Sequence, residues 1–189
     1  MFKFNSPKYL FLDTETSGVD PLNSELLTAA FILYDAAGVN ELDRLSLKCR
    51  PGSGIFRVSP RAMEVNKIDL ISHSVSAITY NSCQEILFKW LRDKAGDNKL
   101  TIVGHRTDFD LGFLKTHIFD LLSLKAHISR QYEDTSVIAS FLGIPFKSLK
   151  DLSVQLQIPS IDLVMHTAEG DAELTARCYF KMQEMVLGE

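Results

Sequence analysis

The 189-residue chain has the length and composition of one globular domain with a substantial core. Hydrophobic residues make up 46% and charged residues 23%, which excludes a disordered chain, and a formal charge of −4 argues against non-specific wrapping of nucleic acid. The three cysteines lack metal-type spacing and are expected to be reduced, packed thiols. We find neither an apolar run long enough to cross a bilayer nor a secretory signal, so a cytoplasmic location is the default expectation.

Strand patterns dominate the first fifty residues. Residues 9–13 predict a short buried strand, and the apolar, partly β-branched run 26–34 predicts a second. Strict alternation over residues 41–48 predicts a third strand, so the three together indicate an antiparallel meander. The leucines of the third segment do not keep one parity throughout, which leaves a bulge or an earlier start open.

Helical patterns follow the meander and are interleaved with further strands. Ser59 as N-cap and Pro60 as first residue predict a short helix, and a longer amphipathic helix is expected from Ser76 or Ser82 to Lys94, ended by residues 96–98. The other predicted elements are a buried strand at 100–104, a helix after it, helices at 135–142, 148–157 and 170–186, and a loop at 158–165. Residues 127–134 fit no clear type. This order predicts an α/β sandwich with a mixed sheet.

Two carboxylates end the first predicted strand. Asp13 and Glu15 are two positions apart, so they point to the same face. Two like charges this close repel each other unless a cation lies between them, and Mg²⁺ or Mn²⁺ readily takes such oxygens. The alternative is a strand end with solvated acids and a polar turn, which is the commoner case for an isolated Asp-x-Glu.

Three residues further along could complete such a site. Asp110 lies near the start of the helix after strand 100–104, and Asp171 opens the last helix; either alone is typical of a cap or helix-dipole partner. His166 is five positions before Asp171, which on a continuous helix would put the two about 140° apart. A histidine in the loop ahead of that helix could instead swing over its start.

Three segments in this order resemble the motifs of a known family. Residues 10–18 resemble the first motif of the DEDD 3′-to-5′ exonucleases, residues 104–114 the second and residues 166–171 the third. The match is similar to the histidine branch, because Thr167 occupies the position at which the tyrosine branch carries its base. The resemblance spans residues 10–180. It implies a single exonuclease domain over residues 1–189 with a ribonuclease H-like three-layer sandwich, in which helices cover both faces of a mixed sheet that starts as an antiparallel meander.

The resemblance also implies an activity. The expected activity is that of a 3′-to-5′ exonuclease, which would hydrolyse terminal phosphodiesters of single-stranded nucleic acid, DNA ahead of RNA, and release nucleoside 5′-monophosphates, in proofreading or repair. Two divalent cations, Mg²⁺ or Mn²⁺, would be held by Asp13, Glu15, Asp110 and Asp171, with His166 as general base. The alternatives are an exoribonuclease of the same family, acting on RNA ends or short oligoribonucleotides, and a non-catalytic module that binds nucleic-acid ends or a polymerase. A homodimer or a polymerase partner is also open.

Further residues are implicated in substrate binding by the same resemblance. They are Thr14, Glu15, Thr16, Asn66, Ile68, Arg106, Phe109 and His166. Arg106 replaces the asparagine that the family usually carries, and its guanidinium could pair with a carboxylate or reach a substrate phosphate. Phe109 and Phe113 could stack on bases, although we expect core packing for both. Residues 133–135 match more loosely, and helix capping is the role we favour for them.

Overall fold

The computed structural model describes residues 8–35, 40–95, 99–119 and 125–188. Within these ranges six strands form one sheet: β1 Lys8–Thr16, β2 Leu26–Asp35, β3 Glu41–Arg50, β4 Ile78–Thr79, β5 Leu100–Gly104 and β6 Ile128–Asp134. Their order across the sheet is β4-β3-β2-β1-β5-β6. The pairs β1–β2 and β2–β3 are antiparallel, whereas β3–β4, β1–β5 and β5–β6 are parallel. The predicted meander and mixed sheet are therefore confirmed, and β6 is the segment that the sequence pattern left untyped.

Seven helices lie within the described ranges. They are α1 Pro60–Asn66, α2 Leu70–Ser76, α3 Tyr80–Ala95, α4 Thr107–His117, α5 Thr135–Phe141, α6 Leu149–Gln155 and α7 Ala168–Leu187. The sequence pattern did not predict α2 or β4, and the predicted helix end at residues 96–98 lies outside the described residues. Ser59 stands at the N-cap position of α1 but makes no capping hydrogen bond with its side chain.

The last helix, α7, begins two residues earlier than predicted. Thr167 caps it, because its hydroxyl accepts a hydrogen bond from the N–H of Gly170 at 3.1 Å. Asp171 therefore lies in the first turn of α7 rather than at its first position. A carboxylate in that turn is favoured by the helix dipole.

Strand β1 lies in the interior of the sheet with both of its faces buried. Leu10 and Leu12 belong to the core that α3 and α4 cover, whereas Tyr9 and Phe11 pack with α7 on the opposite face. Because side chains alternate along a strand, Asp13 and Glu15 continue the α7 face, and Thr14 continues the α4 face. The three layers thus bring α4 and α7 to the same end of β1 from opposite sides.

The parallel pairing of β1 with β5 determines where α4 begins. Tyr9 pairs with Thr101 and Phe11 with Val103, so the carboxyl ends of both strands lie at one edge of the sheet. Helix α4 starts three residues after β5 ends, which brings its first turn close to the exit of β1. No helix in the described ranges is both long and apolar enough to span a membrane.

Candidate metal centre

Three of the predicted acids meet at the carboxyl end of β1. One carboxylate oxygen from each of Asp13, Glu15 and Asp171 lies within 4.8 Å of the other two. β1 supplies the first two from the face that α7 covers, and the first turn of α7 supplies the third. Oxygens gathered this closely are the donors that a hard divalent cation requires.

Asp110, the fourth predicted acid, lies beside this group. It stands in the first turn of α4 and is only 3% exposed. The hydroxyl of Thr14 donates a hydrogen bond to Asp110 Oδ1 at 2.6 Å. Thr14 lies between Asp13 and Glu15, so this hydrogen bond ties the strand that carries those two acids to the helix that carries Asp110.

Burial and mutual repulsion raise the pKa values of these carboxyls. Burial, followed by the charges of Asp110, Asp171 and Glu15, raises the pKa of Asp13 well above its ordinary range. Burial and the charges of Asp171 and Asp110 raise the pKa of Glu15 to about 7. Burial also raises the pKa of Asp110 to about 7, although the hydrogen bond from Thr14 opposes the shift. The folded chain alone therefore does not neutralise this concentration of negative charge.

The charge of the Asp171 carboxylate is also only partly compensated, and one of its oxygen atoms lacks a hydrogen-bond donor among the described residues. Burial raises the pKa of its carboxyl, and the interaction with His166 only partly opposes this. Its Oδ1 is buried and meets no hydrogen-bond donor within the described ranges. A buried acceptor without a partner is costly, and a bound cation would supply one. The residues present therefore fit Mg²⁺ or Mn²⁺, which favour oxygen donors of this kind.

His166 lies in the loop directly before α7, as the base hypothesis requires. Its side chain is exposed and its backbone is left-handed, with φ at 60°. The loop is folded back onto the helix start, because the hydroxyl of Thr167 donates to the carbonyl of Val164 at 2.6 Å. A Cβ at Gly170 would come within 2.1 Å of that same carbonyl oxygen. Glycine in the third motif is thus needed for the close approach of the loop that carries His166.

The predicted contacts Asn66 and Ile68 lie next to the end of β1. The Asn66 side chain donates from Nδ2 to the carbonyl of Thr16 at 2.9 Å, and its Oδ1 accepts from the N–H of Ile68 at 3.0 Å. The amide therefore attaches the end of α1 to the exit of β1. The hydroxyl of Thr16 donates to the carbonyl of Gly18 at 2.7 Å and closes the turn there.

Arg106 and Asp134 organise the start of α4. Arg106 is exposed and left-handed, with φ at 61°, and its guanidinium donates to the carbonyl of Lys147 at 3.3 Å. The carboxylate of Asp134 accepts from the N–H groups of Arg106 and Thr107 at 3.1 and 2.8 Å, and also from that of Ser136 at 2.8 Å. It thereby caps both α4 and α5, so the capping role expected for residues 133–135 is confirmed and extended to a second helix.

The two phenylalanines of α4 differ in their surroundings. Phe113 is fully buried, which confirms the expected core packing, whereas Phe109 is 40% exposed, so the same expectation was wrong for it. The rings lie 5.2 Å apart, centroid to centroid. Phe109 is adjacent in sequence to Asp110 and is accessible to a ligand.

Sequence reasoning missed a buried carboxylate that supports the turn after β1. Glu25 accepts hydrogen bonds from Arg57 Nε at 2.6 Å and from the hydroxyl of Tyr80 at 2.7 Å. The backbone N–H of Ser17 donates to the Glu25 carbonyl at 2.9 Å, and the Ser17 hydroxyl accepts from the Glu25 N–H at 2.7 Å. Its partners are remote in sequence, so no local pattern could have indicated this network.

Comparisons with known proteins show what this arrangement is similar to. No protein-family model and no curated protein matches the chain. Pop2p of S. pombe, in a form with Mg²⁺ and Mn²⁺ bound, superposes with a TM-score of 0.75 and 18% identity over 96% of this chain and 84% of that one. E. coli exonuclease I in complex with a dT13 oligonucleotide superposes with a TM-score of 0.74 and 16% identity, over 97% of this chain and 43% of that one. Exonuclease I of Methylocaldum szegediense superposes with a TM-score of 0.73 and 17% identity, over 96% of this chain and 41% of that one. The chain thus spans less than half the length of the exonuclease I proteins, and it shares its fold with Pop2p and exonuclease I.

Proposed function

We propose that this chain is a metal-dependent 3′-to-5′ exonuclease acting as a single domain. It would hydrolyse the terminal phosphodiester of single-stranded nucleic acid, DNA ahead of RNA, and release nucleoside 5′-monophosphates. The observation that carries the proposal is the convergence of Asp13, Glu15 and Asp171 within 4.8 Å. Exonuclease I, which is similar in fold, has been solved with the oligonucleotides dA16 and dT13, and this supports single-stranded DNA as the substrate class.

The proposed cofactor is a pair of Mg²⁺ or Mn²⁺ ions. Asp13, Glu15 and Asp171 would hold one ion, and Asp13 would also reach the second, which Asp110 helps to fix. When bound, such a pair lowers the pKa of the attacking water and stabilises the attacking and leaving oxygens. The Mg²⁺- and Mn²⁺-bound form of Pop2p supports this choice of metal.

The side chains around the metal centre have separate tasks in this proposal. His166, exposed in the loop before α7, takes the proton of the attacking water at an imidazole nitrogen. Glu15, Thr14 and Thr16, with the segment that Asn66 attaches to Thr16, orient the terminal sugar. The exposed ring of Phe109 offers a base a surface to stack on, and stacking of this kind tolerates every base.

A time course on 5′-labelled single strands tests the proposal. DNA and RNA of the same sequence are incubated with Mg²⁺, Mn²⁺ or EDTA, alongside Asp13→Asn and a matched control, Asp93→Asn, on the exposed surface of α3. We expect a ladder shortened from the 3′ end that requires metal, disappears in Asp13→Asn and persists in Asp93→Asn. A ladder from RNA alone would favour the exoribonuclease. Binding of 3′ ends without release under any condition would contradict the enzyme assignment.

A further inference from the structure

Two of the three cysteines lie against each other on the face of the sheet opposite α7. Cys49 is near the end of β3 and Cys83 is in the first turn of α3, and both are 0% exposed. Their sulfur atoms are 3.4 Å apart. A disulfide bond is about 2.05 Å long, so the sulfurs would need to approach by only about 1.4 Å to bond.

The backbone on both sides of this pair is already held together. Cys49 pairs with Ile78 in the parallel ladder of β3 and β4, and the Cys49 carbonyl contacts the His73 ring nitrogen Nε2 at 3.0 Å. Arg50 Nε donates to the carbonyl of Ala77 at 3.0 Å. These contacts keep the start of α3 next to β3 without a covalent bond, so forming one requires little rearrangement.

We propose that Cys49 and Cys83 form a reversible oxidation site that cross-links β3 to α3. The oxidant is a peroxide, which is small enough to reach the pair when the start of α3 opens transiently. One thiol sulfur attacks a peroxide oxygen, which gives a sulfenic acid and one water. The second thiol sulfur then displaces the sulfenic oxygen as a second water while the S–S bond forms. Two thiols are oxidised, one peroxide is reduced, and a dithiol reductant reverses the step.

The cross-link would close a loop between positions 34 residues apart. That loop contains α1 and α2, and therefore the segment in which Asn66 is attached to the end of β1. Restricting the unfolded chain in this way stabilises the fold, and a loop of this length is expected to raise the melting temperature by roughly 8–15 °C.

Cys178 serves as an internal control. It is buried on the other side of the sheet, in the cluster formed with Leu174 and Met182, and so cannot reach the pair. We therefore expect the reduced, denatured protein to take up three alkylating groups and the peroxide-treated protein only one, on Cys178. Peptide mapping without reductant should join the peptides of Cys49 and Cys83.

The experiment treats the full chain with hydrogen peroxide, followed by intact mass, thiol counting and thermal melting. We expect a loss of two hydrogen masses and a higher melting temperature, both reversed by dithiothreitol. On oxidation, Cys178→Ala should show the same mass loss and the same rise in melting temperature as wild type, and Cys83→Ala should show neither change. Three outcomes would each overturn the proposal: sulfinic acid on a single cysteine without a linked peptide, a cross-link to Cys178, or three free thiols after treatment. If Cys83→Ala does not fold, the wild-type peptide map alone decides between these outcomes and the expected one.

Discussion

Neutralising Glu15 is expected to stabilise the metal-free protein above neutral pH. The pKa of this carboxyl rises from an ordinary 4.5 to about 7 in the fold, through burial and the charges of Asp171 and Asp110. The folded state therefore binds more protons than the unfolded state between these two values, and stability falls as the pH rises through that window. The shift corresponds to a loss of about 3 kcal/mol in the free energy of unfolding by pH 8. Glu15→Gln should recover no more than this amount.

Urea denaturation in EDTA measures this difference. Glu15→Gln should be more stable than wild type at pH 8, and at pH 4.5 the difference should shrink below about 0.5 kcal/mol, because the folded wild type is then protonated. Adding Mg²⁺ or Mn²⁺ at pH 8 should reverse the order, since an ion that binds only the folded state stabilises it and the variant lacks one of the ligands.

Glu25→Gln is the matched control, because the same substitution should have the opposite sign there. Burial raises the pKa of Glu25, but the hydrogen bonds from Arg57 and Tyr80 outweigh burial and leave it lowered. Its ionised form therefore stabilises the fold at pH 8, and Glu25→Gln should destabilise the protein. A loss of stability in both variants at pH 8 without metal would refute a raised pKa at Glu15.

Three further substitutions test other parts of the site. His166→Ala should lower turnover by roughly 10²–10⁴-fold while calorimetry still detects metal binding; loss of both would mean that the loop, rather than the base, had failed. Gly170→Ala places a methyl group against the backbone carbonyl of Val164, so the loop that carries His166 must shift, and both turnover and the melting temperature should fall. Asp134→Ala removes the caps of two helices and should cost roughly 2–4 kcal/mol in urea denaturation, and a loss below 0.5 kcal/mol would contradict the double-capping role.

The sequence predicted those elements whose pattern is set by their own burial. β1 and β2 are apolar because each has two covered faces, and α3 carries one buried stripe. α2 was missed because it has no such stripe: Ile71 and Val75 are 81% and 85% exposed, and its start depends on the cap from Asp69. β6 was left untyped because it is an edge strand in which Ile128 alone is buried, and pairing with β5 makes it a strand.

The acids and the histidine of the site could be predicted from the sequence, but the contacts that support them could not. Asp13 and Glu15 could be placed on one face from their spacing alone, and the motif order indicated Asp110, His166 and Asp171. The supporting contacts could not be predicted, because each joins residues that only the folded chain brings together. The hydroxyl that reaches Asp110 comes from 96 positions earlier in the chain, so its role depends on tertiary structure.

The position of the acids on β1 leads to a last prediction, that metal binding releases protons. Leu10 and Leu12 are fully buried, and β1 pairs with β5 up to Phe11 and with β2 along its whole length, so the backbone holds the carboxylates at its exit close together. The remaining ways to neutralise them are to bind protons or to bind cations. Glu15 and Asp110, with pKa values of about 7, are both partly protonated near neutral pH, and a cation must displace those protons. Mg²⁺ or Mn²⁺ affinity should therefore rise between pH 6 and about 8 and then level off, and titration calorimetry in buffers of different ionisation enthalpy should detect proton release at pH 7. An affinity independent of pH across this range would show that the acids are already ionised without metal.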